Sequence, residues 1–260
     1  MKNKYFVILI MLLAVAASAA VFYLVMGDPA NFETGDVEKH KPINMLGTVY
    51  TGGILVVSLI SMILMVITFI IERMIALQRA RGRGPIERFA KRVHDHVQAG
   101  NIDAAIDECN KQRGSAASIL KAGLEQYQYV RSRPELNSEQ RLSEVKRAID
   151  EATGLETPLL EKNLIVLSTI ASISTMIGLL GTTIGMIRAF NALATSGQAA
   201  SAVQLSIGIS EALINTAGGL IGAILAIVFY NIFTNRVDNF LYLIEEATLS
   251  LLETLAVREA

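Results

Sequence analysis

The sequence lacks most of the residues on which soluble enzymes and disulfide-rich proteins depend. Its single cysteine, Cys109, excludes an internal disulfide bond and is expected to be a small, semi-buried side chain of a cytoplasmic helix. Of its three histidines, His94 and His96 lie two positions apart, which on a helix points them to different faces, so no metal site is expected. It also has no phosphate-binding glycine loop and no nucleophile elbow. No catalytic residue, cofactor or enzyme activity is therefore expected.

Charge is also scarce, and this indicates a membrane protein. Hydrophobic residues make up 52% of the chain and charged residues only 18%. Two adjoining apolar stretches, Leu164–Phe190 and Val203–Phe233, are each long enough to cross a bilayer, which takes about 20 residues of helix. The predicted fold is all-α: a helical integral membrane protein whose long transmembrane helices extend into a cytoplasmic helical block.

The first 26 residues allow two interpretations. Lys2 and Lys4 precede an apolar run with small residues at Ala17 to Ala19, which is typical of a signal peptide cleaved after Ala19. The apolar run continues through Met26, however, and a retained transmembrane helix would need that length. We favour the retained helix.

Basic residues are distributed unevenly and predict the topology. Residues 72–162 hold 16 of the 23 lysines and arginines, whereas 191–202 hold none, so the former are expected inside and the latter outside. The predicted order is an N-terminal transmembrane helix or signal segment (1–26), a periplasmic loop (27–47), a transmembrane helix (48–71), a cytoplasmic helical domain (72–162), a transmembrane helix (163–190), a periplasmic loop (191–202), a transmembrane helix (203–234) and a cytoplasmic amphipathic helix (235–260).

The cytoplasmic part is expected to contain three short helices and a longer one. The longer helix starts near Asn137, carries Leu142, Val145 and Ile149 at core-like spacing, and is predicted to continue into the next span with a kink at Pro158. The C-terminal segment has an apolar stripe expected to pack on other helices or subunits. It consists of Phe240, Leu243, Ile244, Ala247, Leu251 and Leu255.

Hydroxyl groups follow one face of the third span. Ser168, Ser172, Thr175 and Thr182 recur at steps of four, three and seven. Any one hydroxyl can bond to a carbonyl of its own helix, which would make it structurally neutral. The alignment of all four instead favours a wetted or partner-facing surface.

Glycines form a second pattern and predict close helix packing, within one subunit or between subunits. Two pairs, Gly181 with Gly185 and Gly218 with Gly222, have the spacing that lets helix backbones approach. The complete set of candidate packing residues is Gly178, Gly181, Gly185, Gly218, Gly219 and Gly222.

Glu211 is the one acidic residue within the last two spans. Asn215 follows one turn later on the same face, whereas Thr216 lies about 140° further round the helix. Polar groups at such depth are costly and often functional, so Glu211 is a candidate for an ion path. The alternative is a structural carboxyl that cements helices, paired with Arg188.

These residues resemble the MotA/TolQ/ExbB proton channel family, and most closely its ExbB and TolQ branch. Gly178 to Met186 (GLLGTTIGM) is similar to the family's GLxGTVxGM, and Ile209 to Ala217 (ISEALINTA) is similar to its IxEALxxTA. The resemblance implies a pore lined by the last two spans, with Thr182, Thr216 and Glu211 on the proton path. Thr183 replaces the usual valine, so either Thr182 or Thr183 could face the pore. Thr175 and Asn215 complete the candidate set.

The resemblance also implies partners and a function. We expect a homopentamer in the cell inner membrane, in contact with lipids, enclosing two copies of an ExbD/TolR-type single-span partner, with a TonB/TolA-type protein possible and no nucleic acid. It would couple the proton motive force to work at the outer membrane. The alternatives are a MotA-like flagellar or gliding stator and a non-conducting scaffold, and sodium could replace protons.

Overall fold

The computed structural model describes residues 2–33, 42–133, 135–195 and 198–259. Within these ranges the chain is helical and has no strand, only an isolated bridge between Phe32 and Pro42, which confirms the all-α class. The chain forms two compact units. We call Met1–Ile71 with Ile165–Asn231 the membrane unit, and Glu72–Leu164 with Ile232–Ala260 the polar unit.

The helices lie in the following order. In chain order they are α1 (Lys2–Ala20, continued by a π-helical turn at Val21–Met26), a 3-10 turn (Pro29–Asn31), α2 (Met45–Tyr50), α3 (Leu55–Arg81), α4 (Ile86–Gln98), α5 (Ile102–Gln112), α6 (Ser115–Arg131), α7 (Ser138–Glu161), α8 (Leu164–Thr195) and α9 (Gln198–Glu259).

Four helical stretches are long and apolar enough to cross a membrane, so the protein is a multi-pass membrane protein. They lie within Ile8–Met26, Leu55–Gln98, Ser138–Ala194 and Val203–Glu259.

Helix α9 is continuous where the sequence suggested a span at 203–234 and a separate helix at 235–260. Residues 223–259 contain neither glycine nor proline, so nothing in the backbone interrupts the helix. Helix α8 likewise extends to Thr195. Parts of the two predicted periplasmic loops, residues 34–41 and 196–197, lie outside the described residues.

The boundary between α7 and α8 falls at Lys162 and Asn163, after Pro158. Helix α7 contains Pro158 and ends at Glu161. Asn163 then takes a left-handed backbone conformation, φ 63°, which asparagine tolerates better than most residues. The helix break is therefore set by Asn163, and the predicted run from α7 into α8 is interrupted there.

In the membrane unit, a buried polar contact joins α1 to α3. The hydroxyls of Ser18 and Ser61 lie 2.6 Å apart, and these two residues are 0% and 3% exposed. One turn later Phe22 stacks on Tyr50 and packs against Val56. Helix α1 thus has specific side-chain contacts that a featureless apolar anchor would not need.

The polar unit has its own hydrophobic core, formed by α4 to α7 and the C-terminal part of α9. Val145 and Ile149 are buried in it and Leu142 packs against it. All six residues of the predicted C-terminal stripe contact this core: Phe240, Leu243, Ile244, Ala247, Leu251 and Leu255. The stripe therefore packs within its own chain.

The end of α9 is fixed by polar contacts inside the same unit. The hydroxyl of Tyr127 on α6 donates to Glu259 at 2.8 Å, and Arg141 on α7 pairs with the same carboxylate at 3.0 Å. Burial, together with the nearby Glu259, raises the pKa of Tyr127. The hydroxyl consequently stays protonated as the donor of this bond.

Candidate functional site at the α8 and α9 hairpin

Helices α8 and α9 approach each other closely through glycines on α8. A methyl group built on Gly181 would lie 2.3 Å from Cβ of Asn215, and one on Gly185 would lie 2.7 Å from the carbonyl oxygen of Gly208. Real Cβ atoms essentially never come that close. The two helices therefore pack closely within one chain, with Gly181 against the Asn215 side chain and Gly185 against the backbone of Gly208.

The glycines of α9 divide between two neighbours. Gly219 faces α8, where an added Cβ would lie 2.6 Å from the carbonyl oxygen of Ser174. Gly218 instead faces α3, where an added Cβ would lie 3.1 Å from Leu59 Cδ1. A Cβ added to Gly222 would lie 3.1 Å from the Ser174 hydroxyl oxygen. The pair predicted from spacing thus serves two different helix contacts.

Asn215 connects α9 to the segment before α3. Its side chain is 0% exposed, and its amide donates to the carbonyls of Gly52 at 2.8 Å and of Glu211 at 3.0 Å. The amide oxygen has no hydrogen-bond partner among the described residues. This candidate path residue is therefore used, at least in part, to hold helices together.

Glu211 lies where three segments meet. Its side chain is 10% exposed and pairs with Arg188 of α8, whose Nη1 donates to Oε1. The same carboxylate oxygen would lie 3.0 Å from a Cβ on Gly53, a residue with φ +76° that favours glycine. Of the two interpretations of Glu211, this contact favours the structural pair with Arg188.

The candidate hydroxyls of α8 bond to carbonyls of their own helix. Thr182 donates to Leu179 at 2.6 Å and Thr183 to Leu180 at 2.8 Å. The same pattern holds for the rest of the row: Thr175 to Ala171, Ser172 to Ser168, and Ser168 to Ile165. Each hydroxyl uses its one proton in this way and keeps oxygen lone pairs that can accept a further hydrogen bond.

Thr216 faces α8 and not Glu211. Its hydroxyl lies 3.2 Å from the carbonyl of Ala212 and 3.4 Å from that of Gly178 across the helix contact. Thr182 follows Gly178 by one turn of α8. Thr182 therefore lies one helical turn from the carbonyl that Thr216 approaches, whereas Glu211 lies next to Gly53.

The sequence pattern of a known family covers this hairpin. The MotA/TolQ/ExbB proton channel family matches residues 111–246, slightly more than half of the chain. The chain belongs to this family. The matched region includes α8, the glycines of the α8 and α9 contact, both threonines and Glu211. The part of the chain that matches the family is therefore the part that forms most of the candidate site.

Similar proteins lie in the ExbB and TolQ branch of the family. The chain is 35% identical over 164 residues to "Tol-Pal system protein TolQ" of Pseudomonas aeruginosa, covering 59% of this chain and 70% of that protein. It is 32% identical over 121 residues to "Biopolymer transport protein ExbB" of Salmonella typhimurium, covering 46% and 45%. An ExbB-like protein of Synechocystis is 38% identical over 107 residues, covering 41% and 51%. The chain thus spans about half the length of two of these three relatives.

Sequence reasoning missed two groups at this site. Gly52 and Gly53 precede α3, and only their adjacency, which is typical of a close backbone approach, could have drawn attention to them. Ser174 was also missed. It is buried between α8 and α9, on the glycine face and not on the row of hydroxyls.

Proposed function

We propose that this chain is the channel subunit of an inner-membrane complex of the ExbB/TolQ type, which couples proton flow to work at the outer membrane. One observation carries the proposal: at the glycine-packed contact of α8 and α9, the Thr216 hydroxyl lies 3.4 Å from the carbonyl of Gly178, which precedes Thr182 by one turn of α8. Family membership and the names of the relatives support the same function. One charge crossing 100 mV releases about 2.3 kcal/mol.

The chemistry proposed for the hydroxyls follows from their bonding. Because each donates its proton to a backbone carbonyl, its oxygen is left as an acceptor. Such an oxygen suits the proton of a neutral carboxyl group on a partner helix. The titrating acid would then be supplied by an ExbD/TolR-type single-span partner, two copies of which would lie inside a homopentamer of this chain. A TonB/TolA-type protein would receive the work.

A double substitution tests the path. Thr182→Val with Thr216→Val should lower proton flux through the reconstituted complex by at least about 10- to 100-fold, because losing even one acceptor of a strongly polarised donor costs about 1.5–3 kcal/mol. Thr169→Val is the matched control, since its hydroxyl bonds to Ile165 in the same manner from another face of α8. Unchanged flux in an assembled double variant would remove both threonines from the path.

Two further measurements complete the experiment. Thr183→Val alone decides between the two adjacent hydroxyls, since loss of flux in this variant would place Thr183 on the path. Repeating the assay with a sodium gradient in place of the proton gradient distinguishes the two ions. Native mass spectrometry of the purified complex should give five copies of this chain with two of the partner.

A non-conducting scaffold is the second candidate. Gly181, Gly185 and Glu211 make their contacts inside one chain, and so does the amide nitrogen of Asn215, as a structural hairpin would require. An assembled wild-type complex that carries neither protons nor sodium would favour the scaffold over the channel.

A further inference from the structure

The carboxylate of Glu211 is enclosed on the sides that the structure describes. Arg188 of α8 contacts one of its oxygens, and the turn before α3 closes on the same oxygen at Gly53. The backbone carbonyl of Glu211 is also engaged, by the amide of Asn215. Three segments that are distant in sequence therefore converge on a single residue of α9.

The two side chains of this ion pair differ greatly in solvent exposure. The side chain of Glu211 is 10% exposed, whereas that of Arg188 is 59% exposed. A buried carboxylate without a counter-charge is strongly unfavourable, while a half-exposed guanidinium can still reach polar surroundings. Arg188 is the one cation within 4 Å of this carboxylate in the described part of the chain.

Proton transfer through this pair is disfavoured by the chemistry of arginine. A guanidinium stays protonated in proteins, so a proton on Glu211 would leave Arg188 charged and without its partner. The hydroxyl row also lies elsewhere on α8. Arg188 lies six positions after Thr182, which places the two about 120° apart around the helix.

We infer that Arg188 is a positioning residue that holds Glu211 against the Gly53 turn, so that Glu211 fixes α9 in place and does not carry protons. This inference rests on the proposed channel function. It gives the carboxylate of Glu211 a structural role within that channel. The hydroxyls of Thr182 and Thr216 then remain the groups of this chain proposed to accept a hydrogen bond from the partner's acid.

A charge-neutral double variant separates positioning from proton transfer. Glu211→Gln and Arg188→Gln, made singly in the complex purified with its partner, should each lower proton flux about tenfold or more, because the first removes the ionic contact that holds α9 to α8 and the second leaves the buried Glu211 carboxylate without its counter-charge. The double variant R188Q/E211Q should recover flux to within about threefold of wild type, with the same pH profile. A double variant as inactive as E211Q would overturn the inference, since a required carboxylate cannot be replaced by glutamine.

Two controls complete the flux experiment. Arg147→Gln removes an arginine that is also 59% exposed and also paired with carboxylates, but in α7 of the polar unit, and it should leave flux unchanged. Arg188→Lys keeps the positive charge and should retain flux within about threefold of wild type. Loss of flux in R188K equal to that in R188Q would overturn a positioning role based on charge.

Thermal unfolding tests the inference even if the wild-type complex shows no proton flux. A wild-type complex without proton flux would overturn the proposed function, and with it the statement about protons, but the positioning role would still be open to measurement. The double variant should then unfold at a higher temperature than either single variant. If the double variant instead loses as much stability as the two single variants added together, the positioning role of Arg188 would be overturned.

Discussion

The side-chain amide of Asn215 on α9 donates a hydrogen bond of 2.8 Å to the backbone carbonyl of Gly52, 163 residues earlier in the chain. The bond is buried, and it lies one helical turn from the Glu211 carboxylate. Asn215 thus joins α9 to the start of α3 next to the contact that Glu211 makes with Gly53. Two polar contacts one turn apart thus tie α9 to its neighbours, that of Asn215 to the turn before α3 and that of Glu211 to α8.

Removing the Asn215 amide should destabilise the membrane unit. Asn215→Ala leaves the buried Gly52 carbonyl without its donor, which should cost about 1–3 kcal/mol of unfolding free energy. Thermal unfolding in detergent measures the loss. Asn239→Ala is the control, since that amide is exposed and bonds to Asn235 in the same helix. Equal stability of the two variants would contradict the role assigned to Asn215.

Adding one methyl group to α8 should separate the helices. Gly181→Ala would place Cβ 2.3 Å from that of Asn215, and such overpacking typically costs about 1–3 kcal/mol. Gly154→Ala in α7 is the opposite case, because no atom lies within 4 Å of the added carbon. That change should stabilise the protein by about 0.4–1 kcal/mol. A G181A variant as stable as wild type would rule out the close contact.

Much of the site could be predicted because helix geometry alone decides it. The angle between Glu211 and Thr216 follows from their spacing, and they do face different neighbours. The partners of each face could not be predicted so well. Spacing could not assign Gly218 to α3 and Gly219 to α8, since that depends on where α3 packs.

Contacts between distant parts of the chain could not be predicted from the sequence, because they too depend on where α3 packs. Arg188 and Glu211 are 23 residues apart on the two arms of one hairpin, so their pairing was a natural alternative to an ion-path role. Asn215 and Gly52 have no such local connection. Only the packing of α3 on the hairpin brings them together.

The contact between Ser18 and Ser61 predicts that α1 is part of the mature protein. Ser18→Val should lower the unfolding temperature, because it removes a partner of a hydroxyl that is only 3% exposed. The expected loss is about 1 kcal/mol. Thr68→Val is the control, since its hydroxyl bonds to Leu64 within α3. A mature chain that begins at Ala20 by N-terminal sequencing would contradict the prediction.

Cys109 should be chemically inert in the folded protein. Burial raises the pKa of its thiol from 9.0 to about 12, and only the thiolate reacts readily. Maleimide labelling at pH 8 should therefore be slow until denaturant is added. The double variant C109S/N110C moves the thiol to the exposed neighbouring position and should react at the rate of a free cysteine.

The same shift predicts the dependence of stability on pH. Between pH 9 and about 12 the unfolded chain loses the Cys109 proton while the folded chain keeps it, so folding is coupled to proton uptake. The unfolding free energy contributed by this group is therefore complete below pH 9 and declines as pH rises towards 12. Denaturant titrations of wild type and Cys109→Ala at pH 8 and pH 10.5 measure the difference. Because alanine has no proton to lose, the stability gap between the two proteins should narrow at pH 10.5, and a constant gap would show that the thiol is accessible to solvent.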